Sequence, residues 1–387
     1  MSKLNAVIAV SKAMLFQLFP RRKSRGKADV DVIILASEAI GDNLVFLDVL
    51  HFIENINASE NKQTIFICNK KMQPFWEDNK ELKTTAILPV DKEFSKETTK
   101  NIAIVKRMRI GNVILPMHHT LSVIIATSLR SNWLYAMLYN EWFVNRPFYI
   151  KKLYSSSNIQ IVRIEDGCFI GSAYEKLVHK IYGKEYSWGL PKLQFDKTPV
   201  KYSDYIFIAP FSNLPERSLN EKQILDIIRF VLNKKHTVIL SGTKNDLKMA
   251  DRISEKIDND HLINLVGKTS FEEYLNLIAN SRIVIGTDSG SIHFAASFGI
   301  KSVVMAGLWS GAFLPYTTNK YNEYPKCIYT RDEMNCKYCL NKSGGIRVSN
   351  HNCYENIKNG NKRICLETID IVDAEKVILD SMREDED

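Results

Sequence analysis

Two parallel, doubly wound α/β domains in one chain are what the sequence predicts, and three observations predict them. Short apolar runs alternate with helical periodicity from Val30 to Gly183 and again from Tyr205 to Lys326, the signature of βαβ units. A stretch rich in Lys, Pro and Tyr, Gly183 to Asp204, separates the two series. The third is Ser281 to Gly307, which packs an apolar strand, a polar turn with glycine, a small-residue helix and a second apolar strand into one run.

In the first series the spacing predicts strands at Val32–Ala36, Thr64–Cys68, Thr85–Leu88 and Val113–Leu115, with a further strand within Phe148–Arg163. Helices are expected after Asp42, through Leu44, Val45, Leu47, Val49 and Leu50, and at Met72–Asn79, Lys96–Met108, Leu121–Asn140 and Ala173–Tyr182. The second series reads as strand Tyr205–Ala209, loop Pro210–Ser218, helix Glu221–Leu232, strand Thr237–Leu240, helix Asn245–Ile257, strand Ile263–Val266 and helix Phe271–Ala279. Strand Ile283–Ile285 then ends at Gly286. Thr287, Asp288 and Ser289 are residue types that cap helices, and Gly290 lets a ligand approach the backbone before the helix carrying His293. Free N–H groups at such a helix start bind phosphate oxygens, at the carboxyl edge where open α/β sheets take ligands. The same pattern equally describes a capped structural helix.

The expected boundaries are 1–29 for a basic amphipathic segment, 30–183 and 205–326 for the two domains, 184–204 for a linker, 327–366 for a Cys-rich segment and 367–387 for a C-terminal helix. That helix, Asp373–Met382, is expected to pack back on the N-terminal domain. With 387 residues, 45% of them hydrophobic, the chain builds ordinary cores, which excludes a disordered protein. Its 52 Lys and Arg against 44 Asp and Glu give a net charge of +8. Such a balance favours anionic partners without choosing among nucleotide phosphates, acidic lipid surfaces and nucleic acid. Leu4 to Phe19 is too short and too interrupted to span a membrane, and its basic residues, Arg21, Arg22, Lys23, Arg25 and Lys27, follow the apolar run instead of preceding it as in a signal peptide. It suits either an interfacial helix or one packed on the protein's own core.

Some motifs fail. Gly267-Lys268-Thr269 echoes a P-loop, but Leu262 stands where the earlier glycine belongs. His118-His119 has no carboxylate or thiol at ligand spacing, no nucleophile elbow appears, and Asn57-Ala58-Ser59 is a glycosylation acceptor only in a secreted protein. The cysteines are informative: Cys336-x2-Cys339-x13-Cys353-x11-Cys365 is spacing for structural zinc or iron, or for free or disulfide-bonded thiols, with Cys327 as the spare. Crowding of cysteines in one region, unlike a disulfide framework spread over a small secreted chain, fits a reducing cytoplasm.

Three segments together resemble glycosyltransferase family 9, the ADP-heptose:lipopolysaccharide heptosyltransferases: Ala39-Ile40-Gly41-Asp42, Pro210 to Leu219, and Gly286 to His293. The resemblance implies the GT-B fold, two Rossmann-like domains facing across a cleft, and transfer with inversion from ADP-heptose to a hydroxyl of a lipopolysaccharide core or related surface glycan. It implies Asp42 as general base, where the residue pattern equally allows a helix cap. Ser289, Gly290 and His293 fall on the family's phosphate contacts, Ser212 and Asn213 are expected at the same cleft edge, and Arg217 stands at a usual lysine and Leu219 at a usual tryptophan. Asp288 reads as a helix cap. Gly242 ends a strand on the donor side, Asp246, four residues on, is placed to accept from ribose hydroxyls or simply starts a helix, and Lys268 matches a family segment lying along the adenine. No cofactor is required for the chemistry, a glycolipid or glycan acceptor is implied and a protein acceptor is an alternative, nucleic acid is not a partner, and the protein is expected in the cytoplasm, peripheral on the inner membrane. A nucleotide-sugar epimerase of like fold and a catalytically inactive membrane-surface binding protein are the rival readings.

Overall fold

A computed structural model describes residues 28–77, 79, 82–117, 119–139, 158–164, 170–190, 193, 196–212, 218–306, 324–328 and 364–383. The chain divides into two compact units, Met1–Gln194 and Phe195–Asp387.

The first unit is a six-stranded parallel sheet in the order β3-β2-β1-β4-β5-β6. Its strands are β1 (Val30–Leu35), β2 (Gln63–Asn69), β3 (Ala86–Val90), β4 (Ile110–Leu115), β5 (Ser131–Tyr139) and β6 (Ile159–Ile164). Helices α1 (Ile40–Ser59), α2 (Gln73–Glu77), α3 (Lys96–Val105), α4 (Thr120–Ser128) and α5 (Ile170–Tyr182) connect them. Every residue of β1 is buried, as a central parallel strand covered on both faces requires. The β-branched residues Val32, Ile34, Ile65, Ile67 and Val113 build one side of this core.

One expectation is corrected here: Leu121–Asn140 is not a single helix. It is α4 followed, after Arg130, by strand β5, paired with β4 and β6. A strand apolar on both faces carries no period-two alternation, so SNWLYAMLY continues the apolar texture of the helix before it. Asn57 is fully buried in α1 and its Nδ2 donates to Thr64 Oγ1 at 3.0 Å, which removes it as a glycosylation acceptor.

The second unit repeats the architecture with order β12-β11-β10-β7-β8-β9. Its strands are β7 (Tyr205–Ala209), β8 (Thr237–Leu240), β9 (Leu262–Asn264), β10 (Ile283–Thr287), β11 (Lys301–Met305) and β12 (Lys326–Ile328). Helices α6 (Glu221–Asn233), α7 (Leu247–Ile257), α8 (Phe271–Ala279), α9 (Gly290–Ser297), α10 (Ile364–Glu367) and α11 (Ile371–Arg383) accompany them. Within this unit, Ala374, Ile378 and Met382 of α11 belong to the core, with Ile224 and Ile228 of α6 and Val303 of β11. Arg282 Nη2 fastens the end of α11 by donating to the Met382 carbonyl at 2.8 Å.

The stretch read as a linker is largely fastened down. Trp188 Nε1 donates to the Val45 carbonyl at 3.0 Å, Gly189 N–H donates to Asp48 Oδ2 at 2.9 Å, and the Tyr186 hydroxyl donates to the same carboxylate. Further along, Thr198 N–H donates to Asn276 Oδ1 at 2.7 Å, in the second unit.

No described helix is long and apolar enough to cross a membrane. Residues 1–27 and the cysteines Cys336, Cys339 and Cys353 lie outside the described residues.

Candidate active site

In each sheet the first strand has neighbours reached in opposite directions, so a crevice opens at its carboxyl end, the usual ligand position in doubly wound folds. Asp42 and, among the described residues, the candidate donor contacts lie at these two edges.

In the first unit the exit of β1 is held by side chains. Ser122, on the first turn of α4, accepts the Ala36 N–H at 3.1 Å. Asn43 Nδ2 donates to the carbonyls of Ala39 (2.7 Å) and Ser37 (3.3 Å), while its Oδ1 accepts from buried Trp76 Nε1 at 2.9 Å. Helix α1 begins with Ala39 as N-cap and no side-chain cap bond. Asp42 is therefore a first-turn residue and not the cap, and the capping alternative falls. Its carboxylate sits instead in a small polar group: Ser37 Oγ donates to Asp42 Oδ2 at 2.7 Å, and His119 Nε2 stands 3.7 Å from the same oxygen. Sequence reasoning gave Ser37 no role although it lies five residues before Asp42 in the same turn, and it dismissed His119 because nothing in the chain pattern joins it to that turn. Beside them, Lys71 and Lys92 bracket Glu38 at 2.8 and 2.7 Å, and their hydrogen bonds hold its carboxyl down at about 2.

In the second unit four adjacent strands, β10-β7-β8-β9, carry Ser212, Gly242, Asp246, Lys268 and the Asp288–His293 turn at one edge. Close backbone packing sets this edge. A Cβ on Gly286 would lie 2.7 Å from the Ala209 carbonyl oxygen of β7, so only glycine lets β10 run out beside β7. Gly267, at φ +69, donates its N–H to the Gly242 carbonyl at 3.0 Å and ties the β9 exit to the β8 exit.

After β7, Ser212 N–H donates to Ser218 Oγ at 2.9 Å. Asn213 and Arg217 lie outside the described residues. Leu219, at the position of the family's tryptophan, is only 3% exposed and packs in the core. After β8, Asp246 Oδ2 accepts from both the N–H and the hydroxyl of Thr243, each at 2.8 Å, so this oxygen serves the helix start. After β9, the Lys268 ammonium turns back to the Asn264 carbonyl at 3.0 Å.

After β10 comes α9, whose N-cap is Ser289, without a side-chain cap bond. The expectation that Asp288 caps this helix is thereby corrected; Asp288 precedes the cap and is 7% exposed. His293, in the first turn, is 6% exposed. Ser291 is anchored by the Tyr274 hydroxyl at 2.7 Å, and burial pushes that phenol up to about 12, so it remains a neutral partner. Gly290 opens the helix, and the backbone N–H groups of its first turn face the end of the sheet, where anions are stabilised.

Among the described residues no group of three or more His, Cys, Asp or Glu could hold a metal ion. Cys365, on α10, is 7% exposed, and Cys327 lies on β12.

Residues 122–343, more than half of the chain, match the model of glycosyltransferase family 9 (heptosyltransferase). Over 157 residues the chain is 24% identical to lipopolysaccharide heptosyltransferase 3 of Escherichia coli, covering 38% of this chain and 45% of that protein. The chain spans less than half the length of the curated relatives it matches. Among solved structures, a family 9 glycosyl transferase from Veillonella parvula superposes with a TM-score of 0.65 at 15% identity, over 94% of this chain and 100% of that one. The E. coli heptosyltransferase WaaC with ADP-2-deoxy-2-fluoro heptose gives 0.56 at 14% identity, over 86% and 99%. These likenesses show the fold, the GT-B class of two Rossmann-like α/β units.

Proposed function

Since the chain belongs to glycosyltransferase family 9, the heptosyltransferases, we propose that it transfers a sugar, heptose from ADP-heptose, with inversion onto a hydroxyl of a lipopolysaccharide core or related surface glycan. The observation that carries this reading is the gathering of Ser212, Gly242, Asp246, Lys268 and the Asp288–His293 turn at the carboxyl ends of four adjacent strands. A diphosphate needs such an edge. In the reaction the acceptor oxygen attacks the anomeric carbon, the bond from that carbon to the diphosphate oxygen breaks, and the hydroxyl proton passes to the Asp42 carboxylate. Negative charge grows on the leaving diphosphate as the bond breaks. The N–H groups at the start of α9, the Ser289 hydroxyl, His293, and Asn213 with Arg217 are the groups that would stabilise it, since preorganised donors act where charge develops. Arg217 in place of a lysine keeps the charge and offers a two-pronged contact. WaaC was solved with a fluorinated ADP-heptose, and that supports adenine as the base here.

The same proposal places the protein at the inner membrane surface through its basic N-terminal segment, and assigns Cys336, Cys339, Cys353 and Cys365 to structural zinc or iron. Both parts are checked separately: liposome association should fall when residues 1–27 are removed, and elemental analysis should find about one metal ion per chain. The central test is a calorimetric screen of ADP-, UDP-, GDP- and CMP-linked ligands. ADP-heptose should bind, and tight binding of a uridine or guanosine compound without response to ADP would discard heptosyl transfer.

A further inference from the structure

We propose that Ser37 and His119 are positioning residues that fix the Asp42 carboxylate through one of its two oxygens, Oδ2. The inference rests on the reading of Asp42 as the base, and it concerns how that base is aimed.

Ser37 is 1% exposed and its hydroxyl has a determined direction. Its oxygen accepts the Ala39 N–H at 3.1 Å, so its single hydrogen is left for Asp42 Oδ2, at 2.7 Å. The Ser37 backbone is itself tied down, since its carbonyl accepts from Asn43 Nδ2 at 3.3 Å. The donor is thus set before any substrate arrives. From the other side comes His119, the N-cap of α4, whose Nε2 is buried, makes no hydrogen bond, and stands 3.7 Å from the same oxygen. That separation exceeds hydrogen-bond length, so its action on the carboxylate is electrostatic. Three residues along α4, Ser122 binds the Ala36 N–H at 3.1 Å, so this one helical turn holds both the loop and its carboxylate. The other charges of this edge, Glu38, Lys71 and Lys92, pair with one another.

A hydroxyl donating to a carboxylate stabilises the ionised form, which is the form a base needs before attack. Fixing one oxygen also fixes the plane of the carboxylate, and misplacement by about 1 Å costs about a hundredfold in rate.

Two measurements test this, one of them independent of substrate. In protein labelled with carboxyl-13C aspartate, with the Asp42 signal assigned by its loss in Asp42→Asn, Ser37→Ala should move the Asp42 titration up by about one pH unit. ADP release from ADP-heptose, with deacylated lipopolysaccharide core as acceptor, should fall at least about tenfold in kcat. Donor binding should stay within about twofold and the acid limb of the profile should move to higher pH, while Ser37→Thr restores most of the rate. His119→Gln, which cannot carry a charge, and His119→Ala should both lower the rate. An unchanged titration and rate in Ser37→Ala, with Asp42→Asn inactive, overturns the positioning and leaves the base. Full turnover by Asp42→Asn discards the base, while the titration still decides whether Ser37 holds that carboxylate. Should Ser37→Ala fail to fold, equal rates for His119→Ala and wild type overturn the proposal.

Discussion

The two units share a topology, yet they secure the strand ends at their candidate sites by different means. In the first, side chains do it: Ser122, Asn43, Trp76 and Ser37 bind one loop and present one carboxylate. In the second, close backbone contacts join the strand ends, with Gly286 against Ala209 and Gly267 bonded to Gly242, while the side chains of Ser218 and Asp246 each hold only their own loop. On the proposed function this difference has a reason: a base must be held at one position, so its loop would be fastened atom by atom. A diphosphate, which spreads charge over several oxygens, would be met by a row of N–H groups, for which close backbone approach matters more than any single side chain.

Four substitutions break or sharpen that contrast. Asp42→Asn should have the largest effect, lowering turnover about a hundredfold to ten-thousandfold while donor binding by calorimetry stays within about twofold. Equal losses in binding and turnover would mean that the first unit also grips the donor. Gly286→Ala should separate β10 from β7, costing about 1–3 kcal/mol in denaturant unfolding and weakening donor binding, because the new methyl meets a carbonyl that cannot step aside. Asn43→Ala should cost about 1–3 kcal/mol by leaving the buried Trp76 N–H without its acceptor. Its kinetic signature should be a lower kcat at constant donor affinity, opposite to that of the glycine change. The smallest effect belongs to Glu38. Its carboxyl is held at about 2 against an ordinary 4.5, so its stabilisation is present above pH 4.5 and drains away as pH falls toward 2. The side chain is about a third exposed, so Glu38→Gln should remove less than about 1 kcal/mol. Thermal midpoints at pH 6 and pH 3 should differ less in that variant than in the wild type.

The second unit was the more legible. Tyr205–Ala209 and Phe271–Ala279 form the strand and helix expected over the same residues, because a short apolar run ended by Pro210 and a Ser270 cap before a helical run are local signals. Edge residues such as Gly286 and Gly242 were legible for the same reason, since close approach leaves a mark in the chain itself. The first unit hid more. Strand β5 vanished into the apolar texture of α4, and the approach of His119 to Asp42 depends on β1 and β4 being neighbours, a fact of topology that no local pattern carries. The destination of α11 was hidden likewise: its stripe of Ala374, Ile378 and Met382 shows that a face is buried but not against what.

The bonds that Tyr186, Trp188 and Gly189 make to α1 bear on how this protein can be taken apart. A gene fragment stopped at Gly183, where the composition changes, would amputate the staples of the helix that carries Asp42 and leave Asp48 and the Val45 carbonyl without those donors. A fragment carried through Leu190 keeps them. Expression trials and protease digests of the first unit should therefore favour the longer piece, and a nick before Trp188 should loosen Asp42 without touching any residue near it.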